Sequence, residues 1–180
     1  PFSPTWLLSA YVITMIAKEL DYKEVLDIGS GDGRIAYCAK ILGLDSYGIE
    51  IDDMLIDLQK SLCTFTETNF KPIFANAVTF DYTALHLQKP AFFIGGLAQM
   101  GGDALATSII KNLNSKLKQK TCIVFAGSYS EKYSLKNTSD GGWSTLIDKN
   151  MLKIIKSVFL PTVWSFDQTV DTSYIFTEFL

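Results

Sequence analysis

Val25-Leu26-Asp27-Ile28-Gly29-Ser30-Gly31-Asp32-Gly33-Arg34, followed by Tyr47-Gly48-Ile49-Glu50-Ile51-Asp52, is the part of the sequence that decides the fold. Glu24 to Ile28 is a short strand-like run, Gly29 to Gly33 a tight glycine-rich loop, Arg34 to Leu42 a helix and Ser46 to Ile51 the next strand, which makes one βαβ unit. Glycines in such a turn let the backbone come close to a ligand. An acid closing the following strand is placed to accept both hydroxyls of a ribose. Glu50 follows Gly29 by 21 positions, against a usual separation of about 20. The unit implies a nucleoside-containing ligand.

The detail of the loop narrows that ligand. A dinucleotide site reads Gly-x-Gly-x-x-Gly/Ala, but here Arg34 stands where the third small residue should pack helix against strand. The pattern is instead Gly-x-Gly-x-Gly, with Asp27 before it and Asp32 inside it. Two carboxylates beside the loop would repel a pyrophosphate and suit a ligand carrying an ammonium and a sulfonium charge, which describes S-adenosylmethionine.

Outward from this unit the alternation continues. Ser3-Pro4 reads as an N-cap followed by proline at the first helical position, with Trp6, Leu7, Ala10, Ile13, Ala17 and Leu20 on one face of a leading helix that ends near Asp21. Beyond Ile51 the pattern gives a helix over Asp53–Phe65, strands at Pro72–Ala75 and Ala91–Ile94, a helix over Asp103–Leu117 and a strand at Thr121–Ala126. Gly127 to Gly142, rich in Ser, Tyr, Lys and Asn, has neither period and reads as a long loop of the kind that is commonly functional. A short helix at Ser144–Asp148, an apolar run at Met151–Phe159 and a final strand at Ser173–Phe179 follow. The last two, joined across Pro161–Asp171, predict an antiparallel edge. The expected organisation is a single domain over 1–180: leading helix 1–21, cofactor-binding core 22–126, loop or lid 127–142 and C-terminal strands 143–180.

Composition excludes several classes. With 180 residues, 48% apolar, 19% charged and a mean hydropathy of +0.18, the chain is globular rather than disordered or fibrous. The most apolar window, Ala91 to Ile110, is broken by Gln99, Asp103 and four glycines, so no membrane span is expected. Nothing near Pro1 resembles a secretion signal, and Cys38, Cys63 and Cys122, odd in number and set in apolar surroundings, read as reduced core thiols of a cytoplasmic protein. Net charge is −3, but residues 1–90 carry 7 basic and 12 acidic groups while residues 91–180 carry 9 and 7. Arg34 is the only arginine, which disfavours extended nucleic-acid binding, since phosphate and base recognition lean on arginine's planar fork.

Val25 to Gly33 together with Glu50 resembles the first motifs of the class I S-adenosylmethionine-dependent methyltransferases. The resemblance implies an α/β, Rossmann-like core over the whole chain, with a seven-stranded mostly parallel sheet, helices on both faces and an antiparallel edge strand. It also implies roles. Asp27, Gly29, Ser30 and Gly31 would surround the methionine moiety, Glu50 the ribose and Ile51 the adenine face, with Asn76 and Ala77 where the family often has an acid bonded to adenine. A narrower resemblance, carried by Phe2-Ser3-Pro4-Thr5 and Asp27 to Arg34, is to small archaeal and mitochondrial lysine methyltransferases. Ile94-Gly95-Gly96-Leu97-Ala98-Gln99-Met100-Gly101-Gly102 instead resembles bacterial tRNA adenine-N1 methyltransferases.

The remaining candidates concern the acceptor, which should lie outside the carboxyl ends of the strands, near Gly95 to Gln99 and under the 127–142 loop. Gly96, Gln99, Tyr129 and Trp164 are the candidate substrate residues. Trp143, Trp164, Tyr129 and Tyr133 could make a cation–π cage or serve as packing anchors. His86, the sole histidine, fits no catalytic pattern and reads as a surface residue, and Lys111, Lys116, Lys118 and Lys120 read as a solvated helix face. No Asn-Pro-Pro-aromatic or Asp-Pro-Pro-aromatic tetrapeptide, Pro-Cys nucleophile or metal-spaced Cys/His cluster is present, so no metal and no catalytic base are assigned. Three functions stay open: methyl transfer to a protein side chain such as lysine, methyl transfer to an RNA base, and nucleoside binding without catalysis.

Overall fold

The computed structural model describes residues 5–96, 98, 101–127, 142–162 and 170–180. The chain runs α1 (Leu7–Glu19), β1 (Glu24–Ile28), α2 (Arg34–Ile41), β2 (Asp45–Glu50), α3 (Asp53–Phe65), β3 (Lys71–Phe74), a 3-10 turn (Tyr82–Leu85), β4 (Pro90–Ile94), α4 (Gly102–Asn112), α5 (Ser115–Lys118), β5 (Cys122–Ala126), α6 (Ser144–Lys149), β6 (Leu152–Thr162) and β7 (Val170–Phe179). The strands form one seven-stranded sheet in the order β3-β2-β1-β4-β5-β7-β6. The first five are parallel, and β7 runs antiparallel between β5 and β6. This is the expected Rossmann-like α/β architecture.

Every residue of β1 and β4 is buried, because helices cover both faces of the sheet and leave no polar side to alternate with. Leu26, Ile28, Ile49, Phe92, Ile94, Ile123 and Phe125 pack on one side with α4, Trp143 and α6. Val25, Ala91, Phe93 and Val124 pack on the other with Ala10, Ile13 and Ala17 of α1 and Ile35, Cys38 and Ala39 of α2. The period of two puts Asp27 on this second side, within the apolar layer beside α2.

Several elements differ from expectation. The leading helix begins at Leu7 with Trp6 at its N-cap and no capping side chain; Ser3 and Pro4 lie outside the described residues. Trp6 and Leu7 are exposed, and the buried face is Ala10, Ile13, Thr14 and Ala17, with the Thr14 hydroxyl bonded back to the Ala10 carbonyl at 2.8 Å. The long helix expected over 103–117 is two helices. Leu113 is extended, and Asn114 starts α5 by accepting from the Leu117 amide at 2.9 Å, the N-cap chemistry that favours a new start. The 3-10 turn was not visible as a period, since Asp81 creates it locally by accepting from the Thr83 amide at 3.0 Å.

All three cysteines are free, but only Cys38 and Cys122 are core residues. Burial pushes their thiols up to about 11 and about 12, so neither is a nucleophile near neutral pH. Cys63 is half-buried on α3, its Sγ 3.5 Å from the Phe70 carbonyl. No helix among the described residues is long and apolar enough to cross a membrane.

Candidate functional site

After β1 the chain turns to β2 and β3 on one side, then returns to place β4 on the other, so the strand order reverses between β1 and β4. Ligands of open α/β sheets bind at such a reversal, outside the carboxyl ends of the strands. The glycine loop sits there. The amides of Gly29 and Ser30 both donate to the Ile49 carbonyl at 3.0 and 3.1 Å, and the Gly33 amide donates to the Ser30 carbonyl at 2.8 Å. The loop is thus stapled to the end of β2.

Glu50 completes the staple. Its Oε2 accepts from the Gly31 amide at 2.9 Å, and its Oε1 accepts from the Ile51 and Asp52 amides at 2.7 and 3.1 Å. A carboxylate offers about four acceptor positions, so one remains on Oε2 for a ligand hydroxyl. Sequence reading assigned Glu50 to a ribose and missed that it first organises the protein's own backbone.

Asp27 is 2% exposed, and among the described residues none donates a hydrogen bond to its carboxylate. Burial above all, then the charges of Asp32 and Glu50, raise its carboxyl to about 8. The paired-carboxylate expectation is corrected at Asp32, whose oxygens receive the Arg34 Nε at 2.9 and 3.0 Å and also the Arg34 Nη2. The Arg34 Nη1 continues to the Thr5 carbonyl at 2.6 Å, tying the loop to the segment before α1. Asp32 is therefore ion-paired. Among the described residues, the acids at the loop with no cationic partner are Asp27 and Glu50.

Close backbone approach is visible at β4. The Gly95 amide donates to the Ile28 carbonyl at 3.2 Å, and a Cβ on Gly95 would lie 3.0 Å from that oxygen and 3.2 Å from the Gly29 carbonyl. Gly33 has a φ of 83° and a Cβ there would sit 2.8 Å from Gln59 Cγ, so both conformation and space demand glycine. Beside this cradle Ile51 and Phe74, at the ends of adjacent strands, are exposed. They give an apolar wall for a heterocycle.

The structure brings Asp27, Gly29, Ser30, Gly31, Glu50 and Ile51 together, with Gly96 across from them after β4. Asn76 follows β3, one strand further out, with its Oδ1 already accepting from the Val78 amide at 2.9 Å. Ala77 is a packing residue: its side chain joins the core and its carbonyl accepts from the Tyr82 hydroxyl at 2.7 Å. Gln99, Tyr129, Tyr133 and Trp164 lie outside the described residues, as does most of the 127–142 loop. Trp143 is no cage residue. It is wholly buried against Phe125 and donates its indole N–H to the Ala126 carbonyl at 2.7 Å. His86 is exposed at the end of the 3-10 turn. Among the described residues no cluster of His, Cys, Asp or Glu is arranged to hold a metal.

One residue that sequence reading missed is Gln59, whose buried side-chain amide reaches from α3 to Ser30 and Gly31. The available signal was a glutamine three residues after Ile56, on the inward face of an amphipathic helix, opposite the glycine at position 48 of β2.

No family model and no curated protein matches the sequence. Solved structures do. The chain is similar to magnesium protoporphyrin IX methyltransferase of Synechocystis PCC 6803 with bound S-adenosylmethionine, at 10% identity over 97% of this chain and 78% of that one, TM-score 0.66. It is similar also to a ribosomal protein L11 methylase from Lactobacillus delbrueckii subsp. bulgaricus, at 14% identity over 98% and 80%, TM-score 0.62. A tRNA (uracil-54, C5)-methyltransferase of Pyrococcus abyssi in complex with S-adenosyl-L-homocysteine aligns at 15% identity over 98% of this chain and 40% of its own, TM-score 0.63. At such identities the shared property is the fold, the one these methyltransferases use.

Proposed function

We propose that this chain is an S-adenosylmethionine-dependent methyltransferase acting on a protein side chain such as lysine. The observation that carries the first half is Asp27, a buried carboxylate without a cation of its own, set under a glycine loop that Glu50 pins to the next strand. A positively charged nucleoside fits this set and a pyrophosphate does not. Asp27, Gly29, Ser30 and Gly31 would hold the amino-acid end, the free acceptor position of Glu50 a ribose hydroxyl, and Ile51 and Asn76 the region of the base, with Ala77 packed in the core beside Asn76. Neighbouring structures crystallised with this cofactor or its demethylated product support the reading.

When bound, the cofactor supplies a methyl group already activated for in-line displacement. The protein's share is orientation and exclusion of water. Gly95 packs on the Ile28 and Gly29 carbonyls at the end of β4, and Gly96 beyond it marks the side from which the acceptor would approach. A lysine acceptor arrives protonated, and desolvation at this mouth favours loss of its proton.

A protein acceptor is favoured over RNA because the single arginine is consumed inside the site by Asp32 and Thr5, and several lysines are engaged locally. Lys18 donates to the Leu42 carbonyl at 2.6 Å, Lys40 pairs with Asp45 at 3.1 Å and Lys60 with Asp57 at 3.0 Å. Gly96, Gln99, Tyr129 and Trp164 remain the proposed acceptor side, within a single domain over 1–180 in which 127–142 covers the acceptor. Incubation with methyl-labelled S-adenosylmethionine and separate protein and RNA fractions should label protein. Binding of NAD but not of S-adenosylmethionine in calorimetry would overturn the whole assignment.

A further inference from the structure

Gln59 lies on α3 and is completely buried. Its Nε2 donates both to the Ser30 hydroxyl at 2.9 Å and to the Gly31 carbonyl at 2.8 Å. The carbonyl can only accept, so the amide nitrogen has to face the loop and Oε1 has to face away. There Oε1 has no hydrogen-bond partner among the described residues. A Cβ on Gly48 would come within 2.4 Å of Oε1, and one on Gly33 within 2.8 Å of Cγ, so glycines in β2 and in the loop leave the volume this side chain fills.

A side chain serving packing alone could fill that volume without a buried unpaired acceptor, as methionine would. The two hydrogen bonds of the amide both go to the loop. Gly31 is thereby gripped from two directions: its amide by Glu50 and its carbonyl by Gln59. We propose that Gln59 is a positioning residue of the cofactor site, its amide holding Ser30 and Gly31 in their ligand-accepting arrangement before any ligand arrives. The ligand named here rests on the function proposed above, whereas the grip on the loop does not.

The test uses the full chain carrying Gln59→Met, which keeps the volume and removes both the donor and the orphaned acceptor. Thermal melting should change little, because removing the orphaned Oε1 offsets leaving the Gly31 carbonyl and the Ser30 hydroxyl without their donor. Hydrogen exchange of the peptide spanning 29–33 should be faster in the ligand-free variant, and S-adenosylhomocysteine should bind about tenfold more weakly by calorimetry, the equivalent of about one net hydrogen bond. Gly48→Ala, which pushes the same amide from β2, should likewise speed exchange and weaken binding, and keeps the test open if Gln59→Met does not fold. Exchange in both variants at the wild-type rate would overturn the inference whatever the ligand proves to be. Faster exchange with unchanged S-adenosylhomocysteine affinity would overturn it too, since the loop would then not need holding. If wild type binds neither S-adenosylmethionine nor its product, the proposed function falls, and the exchange rates alone decide whether Gln59 holds the loop.

Discussion

Asp27 is protonated in the ligand-free protein up to about pH 8, whereas in the unfolded chain it ionises near 3.9. The folded state therefore binds the extra proton between these values, and this group's contribution to stability falls as pH rises from about 4 to about 8 and is level above that. Urea unfolding of wild type against Asp27→Asn across this range should show the wild type losing stability relative to the variant. The same proton must leave when a cation binds beside the carboxylate, so S-adenosylmethionine affinity should climb toward pH 8. The Asp27→Asn variant should bind weakly with no such climb, and a parallel profile would mean that the ligand's charge lies elsewhere. Glu50→Ala should cost about 1 to 3 kcal/mol of cofactor affinity and lower the melting temperature as well, because the Gly31, Ile51 and Asp52 amides lose their acceptor. Melting at the wild-type temperature would show that water replaces the carboxylate. That Asp27 and Glu50 flank the loop was legible in the sequence, since a glycine-rich turn and its spacing to an acid are local patterns. Asp32 was misread because its partner Arg34 depends on how the loop folds, and Gln59 escaped because an inward position on α3 does not say which segment, 28 residues away, the side chain reaches.

The elements were legible where hydrophobic period decided them and not where one side chain did. α3 was legible because its inward face is periodic, and the structure shows Asp52 capping it, accepting from the Met54 amide at 2.9 Å. The break at Leu113 and the 3-10 turn each follow from a single Asn or Asp, too little to shift a window of apolar spacing. Around 127–142 the decisive features are at the base. The Gly127 amide donates to the Ser173 carbonyl at 2.7 Å and the Trp143 indole to the Ala126 carbonyl, so the two ends of the segment are fixed together. Replacing 128–141 with a short Gly/Ser turn should leave melting and cofactor affinity within a few-fold, since loop length changes closure entropy only slowly. Methyl transfer should fall by orders of magnitude, and full transfer would show the segment to be a connection only. Trp143→Ala, by contrast, should cost about 3 to 5 kcal/mol in denaturant unfolding as a fully buried indole is lost. A loss below about 1 kcal/mol would mean that the core collapses into the space.

Across the whole molecule, the alternation of strand and helix and the antiparallel end of the sheet could be read from the sequence. The position of β7 could not. Ten residues of strand period do not say which neighbour they choose, and β7 pairs with β5 along Cys122–Ala126 and with β6 from Leu152 to Thr162. Ending the chain before residue 170 should therefore leave β6 without a partner and one edge of β5 open, and the shortened protein should be recovered as aggregate rather than as a cooperatively melting species. Because β7 lies between two strands that precede it in the chain, β5 and β6 share no ladder with each other and are joined only through it. The sheet closes like a zip whose slider is β7. Until that slider is home, strand edges stand open, and an open edge is a template on which another chain can pair.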